Sequence, residues 1–313
     1  MIKYIAMRLV WMVMIWFIIV ALIFAALEYA MWSYYISPLS FGEFLQQLIK
    51  DYFSFISGVL TRWDWGTDRF GNPYTTLILR GMSRTIRINA VALVVYIGGG
   101  IGFGIASAMY ARTLFDKALN AFLLIMAAVP NYIWVFIFII VLGYQLKVFP
   151  RMWPSQTMPL HVRMAGYIIP VASMAFVPIA RFTALVRAET LEMMRTGYVD
   201  LLRSKGLRKR QIVFRHLLRD SIYPILPVLP STFIFVMTSS FLIEMVYNVQ
   251  GVARLLFMSL FNRFDRAFYL NVNVELSTLL LSFYVALALL MVLAADIALM
   301  ALDPRIRMNR KAS

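Results

Sequence analysis

The chain has no cysteine and almost no histidine: only His161 and His216 occur in 313 residues. Disulfides and thiolate metal sites are therefore excluded, and two imidazoles alone argue against a zinc centre. Charge is also scarce, at 14% of residues, where a soluble domain carries about 25%. These shortages exclude disulfide-stapled scaffolds and point away from ordinary soluble domains.

Motifs for covalent chemistry are missing as well. The glycines at 98, 99, 100, 102 and 104 lack the Lys-Ser/Thr pair that completes a phosphate-binding loop. No metalloprotease motif, nucleophile elbow or paired carboxylates occur. We therefore predict no catalytic residue, no metal ligand and no cofactor bound by this chain. Gly98 and Gly102, like Gly100 and Gly104, are four residues apart, which predicts close packing between helices.

Apolar sequence is abundant, at 62% of residues, and it is concentrated in runs without charge. A helix needs about 20 such residues to cross the hydrocarbon layer, and the sequence therefore predicts an all-α membrane protein with six transmembrane helices. The first run follows Lys3 and Arg8, as a signal peptide would, but it exceeds the usual apolar length and lacks a convincing cleavage site. We therefore predict that it is a retained helix. The six runs are 9–27, 88–111, 118–146, 164–180, 221–243 and 276–295.

The basic residues orient these spans. With the N-terminus inside, the inner segments hold seventeen Lys/Arg, whereas the much longer outer segments hold eleven. This bias predicts both termini in the cytoplasm. The net charge of +15 lies between spans rather than on one soluble face, so nucleic acid is not an expected partner, whereas membrane lipid is.

The predicted organisation has four parts. The sequence predicts an N-terminal transmembrane helix at 1–30, an external segment at 31–85, a five-span core at 86–302 and a cytoplasmic tail at 303–313. Within the external segment, Ser40 and Glu43 form the pattern of a capping box. The apolar residues that follow recur at helical spacing and predict an external amphipathic helix. A turn is predicted at 69–73, in "RFGNP".

Residues 197–220, the basic segment, hold seven Lys/Arg and two Asp within the predicted cytoplasmic loop 187–220. Gly206 can adopt a positive φ and join two short helices. The expected apolar stripes are Tyr198, Leu201 and Leu202 before the glycine, and Val213, Phe214, Leu217 and Leu218 after it. Binding to anionic lipid explains the charge of the segment. Docking into a groove of a partner protein explains the glycine and the stripes as well.

At this segment the chain resembles membrane subunits of ATP-binding-cassette (ABC) importers, in the dipeptide/oligopeptide/nickel permease group. "DLLRSKG" aligns with the family's EAA loop, and "SKGLRKRQIVFRH" is similar to the peptide-permease version. "FISGVLTRWDWGTDRFGNP", "EMVYNVQGVARLL" and "DIALMALDPRIR" resemble further family motifs in the same order. Leu201 and Leu202 depart from the small residues of the family pattern.

The resemblance implies a type I ABC importer transmembrane fold in a bacterial or archaeal cell membrane, and a role as half of a heterodimeric peptide pore. It implies a second, homologous permease, two cytoplasmic ATP-binding subunits that bind ATP and Mg²⁺, and an external solute-binding lipoprotein. An importer of nickel or another small solute, a self-sufficient channel or secondary carrier, and a lipid-binding scaffold are the alternatives. The residues expected to couple the chain to the ATPases are Asp200, Leu201, Leu202, Arg203, Lys205, Gly206 and Leu207.

Overall fold

The structure is a computed structural model that describes residues 2–34, 40–67, 73–264, 267–270 and 272–302. The predicted tail at 303–313 lies outside these residues, as does most of the predicted turn at 69–73. The described chain is predominantly helical. Its helices, in order, are α1 Ile2–Tyr34, α2 Phe41–Thr61, α3 Tyr74–Met109, α4 Leu114–Ala128, α5 Asn131–Phe138, α6 Leu160–Ala165, α7 Ile168–Met193, α8 Gly197–Ser204, α9 Lys209–Ile212, α10 Leu218–Ile222, α11 Ile225–Val246, α12 Val252–Leu260 and α13 Val274–Leu302.

Two π-helical turns extend this set, Ile139–Gln145 after α5 and Val213–Leu217 after α9. A short antiparallel hairpin, which the sequence analysis did not predict, pairs β1 (Phe261–Phe264) with β2 (Ala267–Leu270). The contacts divide the chain into two compact units, one of residues 1–86 with 249–290 and one of 87–248 with 291–313. The domain boundaries expected from the sequence remain predictions.

Five of the six predicted spans lie along helices that are long and apolar enough to cross a membrane. The third span, 118–146, was predicted as one helix, and this is corrected by the structure. It consists of two helices, Leu114–Ala128 and Asn131–Gln145, which are bent by 102° at the break between them. The pair counts as a sixth span only if both halves belong to one crossing.

Proline causes this bend. Pro130 has no N–H to donate to the Met126 carbonyl, and its ring disfavours helical geometry at the preceding residue. Val129 is accordingly extended, with φ −100° and ψ 126°. The Trp134 indole Nε1 donates to the Met126 carbonyl at 3.2 Å and replaces the missing donor. A break in an apolar helix thus keeps this carbonyl paired, as membrane-embedded backbone requires.

In the first unit, α2 confirms the predicted amphipathic helix and packs against α1. The Ser40 hydroxyl accepts from the Glu43 N–H at 3.4 Å, and the Glu43 carboxylate accepts from the Ser40 N–H at 2.8 Å, which completes the capping box. The hydrogen bond from the Ser40 hydroxyl, together with that from its N–H, holds the pKa of Glu43 below its usual value. Phe55 stacks on Phe24 of α1 with ring centroids 5.4 Å apart.

In the second unit, α7 is the central helix, and glycines allow α3 to approach it closely. A Cβ on Gly100 would lie 2.4 Å from the Phe182 Cβ, and one on Gly104 would lie 2.6 Å from the Val186 Cβ. The predicted packing role is therefore confirmed for Gly100 and Gly104.

Gly98 and Gly102 make no such close contact within the described residues of this chain, so their predicted packing role stays a prediction. Both are exposed, and no described atom lies within 4 Å of a Cβ built on either residue. The two glycine pairs share the same spacing but lie on different sides of α3. Only the side that carries Gly100 and Gly104 faces α7.

Candidate coupling site

The basic segment continues directly from α7. That helix ends at Met193, and a short turn leads into α8 at Gly197. The Thr196 hydroxyl donates to the Met193 carbonyl at 2.7 Å and so satisfies one of the free carbonyls at the end of α7. Because only three residues separate the two helices, a displacement of α8 acts on the end of α7 through a short connection.

Gly206 ends α8 in a Schellman motif. Its N–H donates to the Arg203 carbonyl at 2.9 Å, and the Leu207 N–H donates to the Leu202 carbonyl at 3.2 Å. Gly206 has φ 79°, which confirms the predicted positive φ. A Cβ at this position would meet no atom of the described residues within 4 Å, so glycine is required by backbone conformation and not by lack of space.

The chain restarts a helix immediately after this turn. The Arg208 N–H donates to the Gln211 side-chain oxygen at 2.9 Å at the start of α9. The π-helical turn Val213–Leu217 then joins α9 to α10. Two short helices joined at a glycine are therefore confirmed, as the sequence predicted.

The two predicted apolar stripes are corrected. Within α8, Val199 and Leu202 are buried, whereas Tyr198 and Leu201 are exposed. The two leucines are adjacent in sequence, so a helix turns their side chains by about 100° relative to each other. Leu202 packs into the protein, and only Leu201 is available to a partner.

The second stripe divides in the same way. Ile212, Val213 and Leu217 are buried, and Phe214 is 48% exposed. The basic segment therefore has an inner face, packed against its own chain, and an exposed outer side. The large apolar residues on the outer side are Tyr198, Leu201 and Phe214.

The charged groups of the basic segment face solvent. Asp200 and Arg203 form an ion pair at 3.3 Å, with 70% and 53% of their side chains exposed. Lys205 is exposed beside Gly206. Arg210 lies over the Phe214 ring, 5.9 Å from its centroid. Exposed pairs of this kind contribute little to stability, so these charges remain available to a partner.

Beneath the segment lies a cluster that the sequence analysis missed, the buried carboxylate site. Arg187 of α7 binds Asp116 of α4 through two bonds, Nε to Oδ1 at 3.0 Å and a terminal nitrogen to Oδ2 at 2.8 Å. Oδ1 also accepts from the Ser107 hydroxyl and, at 2.7 Å, from the Asn120 amide. Oδ2 accepts from the Arg112 N–H at 2.9 Å. Three helices and one turn therefore meet at a single carboxylate.

One side chain of the basic segment reaches the same region. Lys209 donates through Nζ to the Met109 carbonyl at the end of α3. A cation is favoured there because the last carbonyls of a helix carry partial negative charge. No group of three or more His, Asp or Glu residues in the part of the chain that the structure describes could hold a metal ion.

The geometry defines a class of protein: a helical multi-pass membrane protein with an exposed helix–turn–helix segment between two of its apolar helices. A family-wide profile described as "Binding-protein-dependent transport system inner membrane component" matches residues 100–308. The chain belongs to this family of inner membrane transport components. The predicted resemblance to ABC importer permeases is thereby confirmed.

Individual relatives of this chain are named as transport permeases. The chain is 25% identical over 266 residues to the dipeptide transport system permease protein DppB of Bacillus subtilis, in an alignment that covers 84% of this chain and 81% of the relative. It is 23% identical over 263 residues to the oligopeptide transport system permease protein OppB of Salmonella typhimurium, which covers 83% and 81% of the two chains.

Among solved structures, an inward-facing conformation of the MetNI methionine ABC transporter matches with a TM-score of 0.56. The match covers 73% of this chain and 97% of that chain at 17% identity, which shows a shared fold. The predicted fold class, an all-α membrane protein of the type I ABC importer transmembrane class, is thereby confirmed.

Proposed function

We propose that this chain is a permease subunit of an ATP-driven importer for dipeptides or oligopeptides. It forms half of the translocation pore with a second, homologous permease. The peptide assignment is supported by the names of its relatives in Bacillus subtilis and Salmonella typhimurium. The observation that carries the coupling part is the basic segment, whose outer side presents Leu201 and Phe214 beside exposed charges.

The chain supplies no catalysis in this proposal. Two cytoplasmic ATP-binding subunits bind ATP and Mg²⁺ and hydrolyse the nucleotide, and an external solute-binding lipoprotein delivers the peptide. Both termini and the basic segment lie on the cytoplasmic side. ATP binding closes the two ATPases and displaces the basic segment, and the pore changes from inward-facing to outward-facing.

The residues of the basic segment have different roles in this proposal. Leu201 inserts into a groove of the ATPase, and Asp200, Arg203 and Lys205 make polar contacts around it. Gly206 ends α8 and sets the direction in which the chain leaves that helix. Leu202 and Leu207 support the segment from the inner side, where Leu202 is buried and Leu207 is half-buried.

Purification of the chain with its candidate partners tests this function. We expect two ATP-binding chains to co-purify, and labelled dipeptides or oligopeptides to enter vesicles only when ATP and the solute-binding protein are both supplied. Gradient-driven flux through this chain alone would instead establish a secondary carrier. Uptake of Ni²⁺ in place of peptide would reassign the solute.

A single substitution tests the docking surface. Leu201→Asp places a charge on the proposed anchor, and we expect it to abolish co-purification of the ATPases while the chain still inserts in the membrane. Leu114→Asp is the matched control, because Leu114 is also exposed, at 84% against 53%, but lies outside both the basic segment and the six apolar runs. Equal ATPase recovery with both variants would rule out the docking role, and binding of the segment only to anionic liposomes would support the lipid-scaffold alternative.

A further inference from the structure

We propose that Asp116 and Arg187 are positioning residues of the transport cycle. They join the turn between α3 and α4 to α7, so that a displacement of the basic segment moves the cytoplasmic ends of α3, α4 and α7 as one body. This inference rests on the proposed function, because an ATPase has to displace the segment.

The first support is the geometry of the ion pair. A guanidinium that binds a carboxylate through two parallel bonds resists rotation as well as separation, which a single lysine contact does not. Arg187 makes both bonds with Asp116, at 3.0 and 2.8 Å. The Arg187 guanidinium of α7 is therefore held in orientation, and not only in distance, on the Asp116 carboxylate of α4.

The second support is the number of donors at one carboxylate. Asp116 accepts from Ser107 of α3, from the Arg112 N–H in the turn, and from Asn120 of its own helix, besides Arg187. These residues donate five hydrogen bonds, two of them from Arg187. A carboxylate offers about four lone-pair positions, so its capacity is filled. Removal of the carboxylate charge would weaken every one of these contacts together.

The third support is a second contact at the same end of α3, made by a lysine of the basic segment. Lys209 follows the Gly206 turn and donates to the Met109 carbonyl at the end of α3. Arg187 precedes the segment, and Lys209 lies within it, beyond the glycine. The cytoplasmic end of α3 is thus attached to the chain on both sides of α8.

The fourth support is the packing directly beneath the pair. Gly100 and Gly104 of α3 lie against Phe182 and Val186 of α7 without room for a Cβ. Val186 immediately precedes Arg187. Close-packed helices transmit displacement instead of absorbing it. The glycine contact therefore couples α3 to α7, as the ion pair couples α4 to α7.

The test uses the assembled complex, with both permeases, the ATPases and the solute-binding protein in vesicles. Peptide uptake and ATP hydrolysis are measured in the same sample for Asp116→Asn, Arg187→Gln and Arg187→Lys. We expect each variant to retain its ATPases and its basal hydrolysis, and the peptide transported per ATP to fall by about tenfold in the first two, within the usual range of coupling between sites. Arg187→Lys keeps the charge and loses the two-bond geometry. The peptide that it transports per ATP should therefore lie between the values for these two variants and the value for the wild type.

Arg181→Gln is the matched control. Arg181 lies on the same helix, six residues before Arg187, and is exposed. We expect its transport per ATP to equal that of the wild type. An unchanged ratio in either Asp116→Asn or Arg187→Gln would overturn the proposal, as would a fall in ATPase recovery that accounts for the whole loss of uptake.

A distance measurement separates positioning from mere stabilisation. The chain has no cysteine, so spin labels can be placed uniquely at Lys117→Cys on α4 and Glu192→Cys on α7, both exposed positions. We expect the distance between the labels to be the same with and without ATP in the otherwise wild-type complex, and to change with ATP when Asp116→Asn is added. An ATP-dependent distance without Asp116→Asn would overturn the proposal. If the wild-type chain fails to retain the ATPases, the proposed function is overturned together with this proposal. If the wild-type chain retains them and one of the outcomes above contradicts the ion-pair role, only this proposal is overturned.

Discussion

Two Asp–Arg pairs lie in the same unit of this protein, and they differ in nearly every physical respect. Asp200 and Arg203 are one helical turn apart, 3.3 Å from each other and mostly exposed. Asp116 and Arg187 are 71 residues apart, and Asp116 is only 5% exposed. The first pair is screened by water, whereas the second collects donors from three helices and a turn. Burial and the number of shared donors, and not the residue types, decide which pair organises the fold.

Removal of the buried cation should lower the free energy of unfolding more than any other change considered below. Arg187→Met leaves Asp116 buried without its main partner, and we expect the free energy of unfolding to fall by about 3 kcal/mol, the lower end for a broken buried pair. The lower end applies because Arg187 is 29% exposed. Equilibrium denaturation in mixed micelles measures the change. A loss of stability no larger than that expected for the exposed pair would refute the conclusion that the two pairs differ.

Gly206→Pro breaks the exposed segment while both ion pairs remain. Proline cannot adopt φ 79°, and it removes the N–H that donates to the Arg203 carbonyl. We expect a loss of about 2 kcal/mol of stability, together with uptake that no longer follows ATP hydrolysis although the chain still inserts. Vesicle uptake assays measure the second effect.

Gly206→Asn is the control for this change, because asparagine tolerates positive φ and keeps the N–H. Its uptake should be close to that of the wild type. Wild-type uptake by Gly206→Pro would mean that the turn has no part in coupling.

Gly100→Ala tests the packing beneath the buried pair. A Cβ there would lie 2.4 Å from the Phe182 Cβ, an overlap that costs about 1–3 kcal/mol. Alanine recovers up to about 1 kcal/mol of helix propensity, so we expect a net loss of about 1 kcal/mol. Gly98→Ala is the matched control on the open side of α3, and it should be neutral or slightly stabilising. Equal results for the two alanines would contradict the assigned packing face.

The smallest effect is expected from the exposed pair. Asp200→Asn removes its charge, and we expect less than about 0.5 kcal/mol of change in stability, as for other exposed pairs one helical turn apart. The same denaturation measurement applies. A loss comparable to that of Arg187→Met would show that exposure does not distinguish the two pairs.

Features specified by local sequence could be predicted. Ser40 and Glu43 lie within one helical turn, and the conformation of Gly206 follows from the residue itself, so the capping box and the turn are both confirmed. The resemblance to the permease family also rests on motifs that are contiguous in sequence.

Features specified by tertiary contact could not be predicted. Gly98 and Gly100 satisfy the same spacing rule, and only the position of α7 distinguishes their sides of α3. Leu201 and Leu202 are neighbours whose burial depends on what lies beneath α8. Asp116 and Arg187 are too far apart in sequence to form a pattern. Pro130 lies inside an apolar run, where a kink could be expected, but hydropathy does not give the angle of 102° between the two helices.

Whether the bent pair around Pro130 counts as one crossing decides the parity of the membrane crossings. Five crossings would leave the start of α1 and the end of α13 on opposite sides of the membrane, whereas six place them together. The predicted placement of both termini in the cytoplasm needs these two helix ends on the same side. It therefore requires α4 and α5, despite the 102° between them, to carry the chain across the bilayer once.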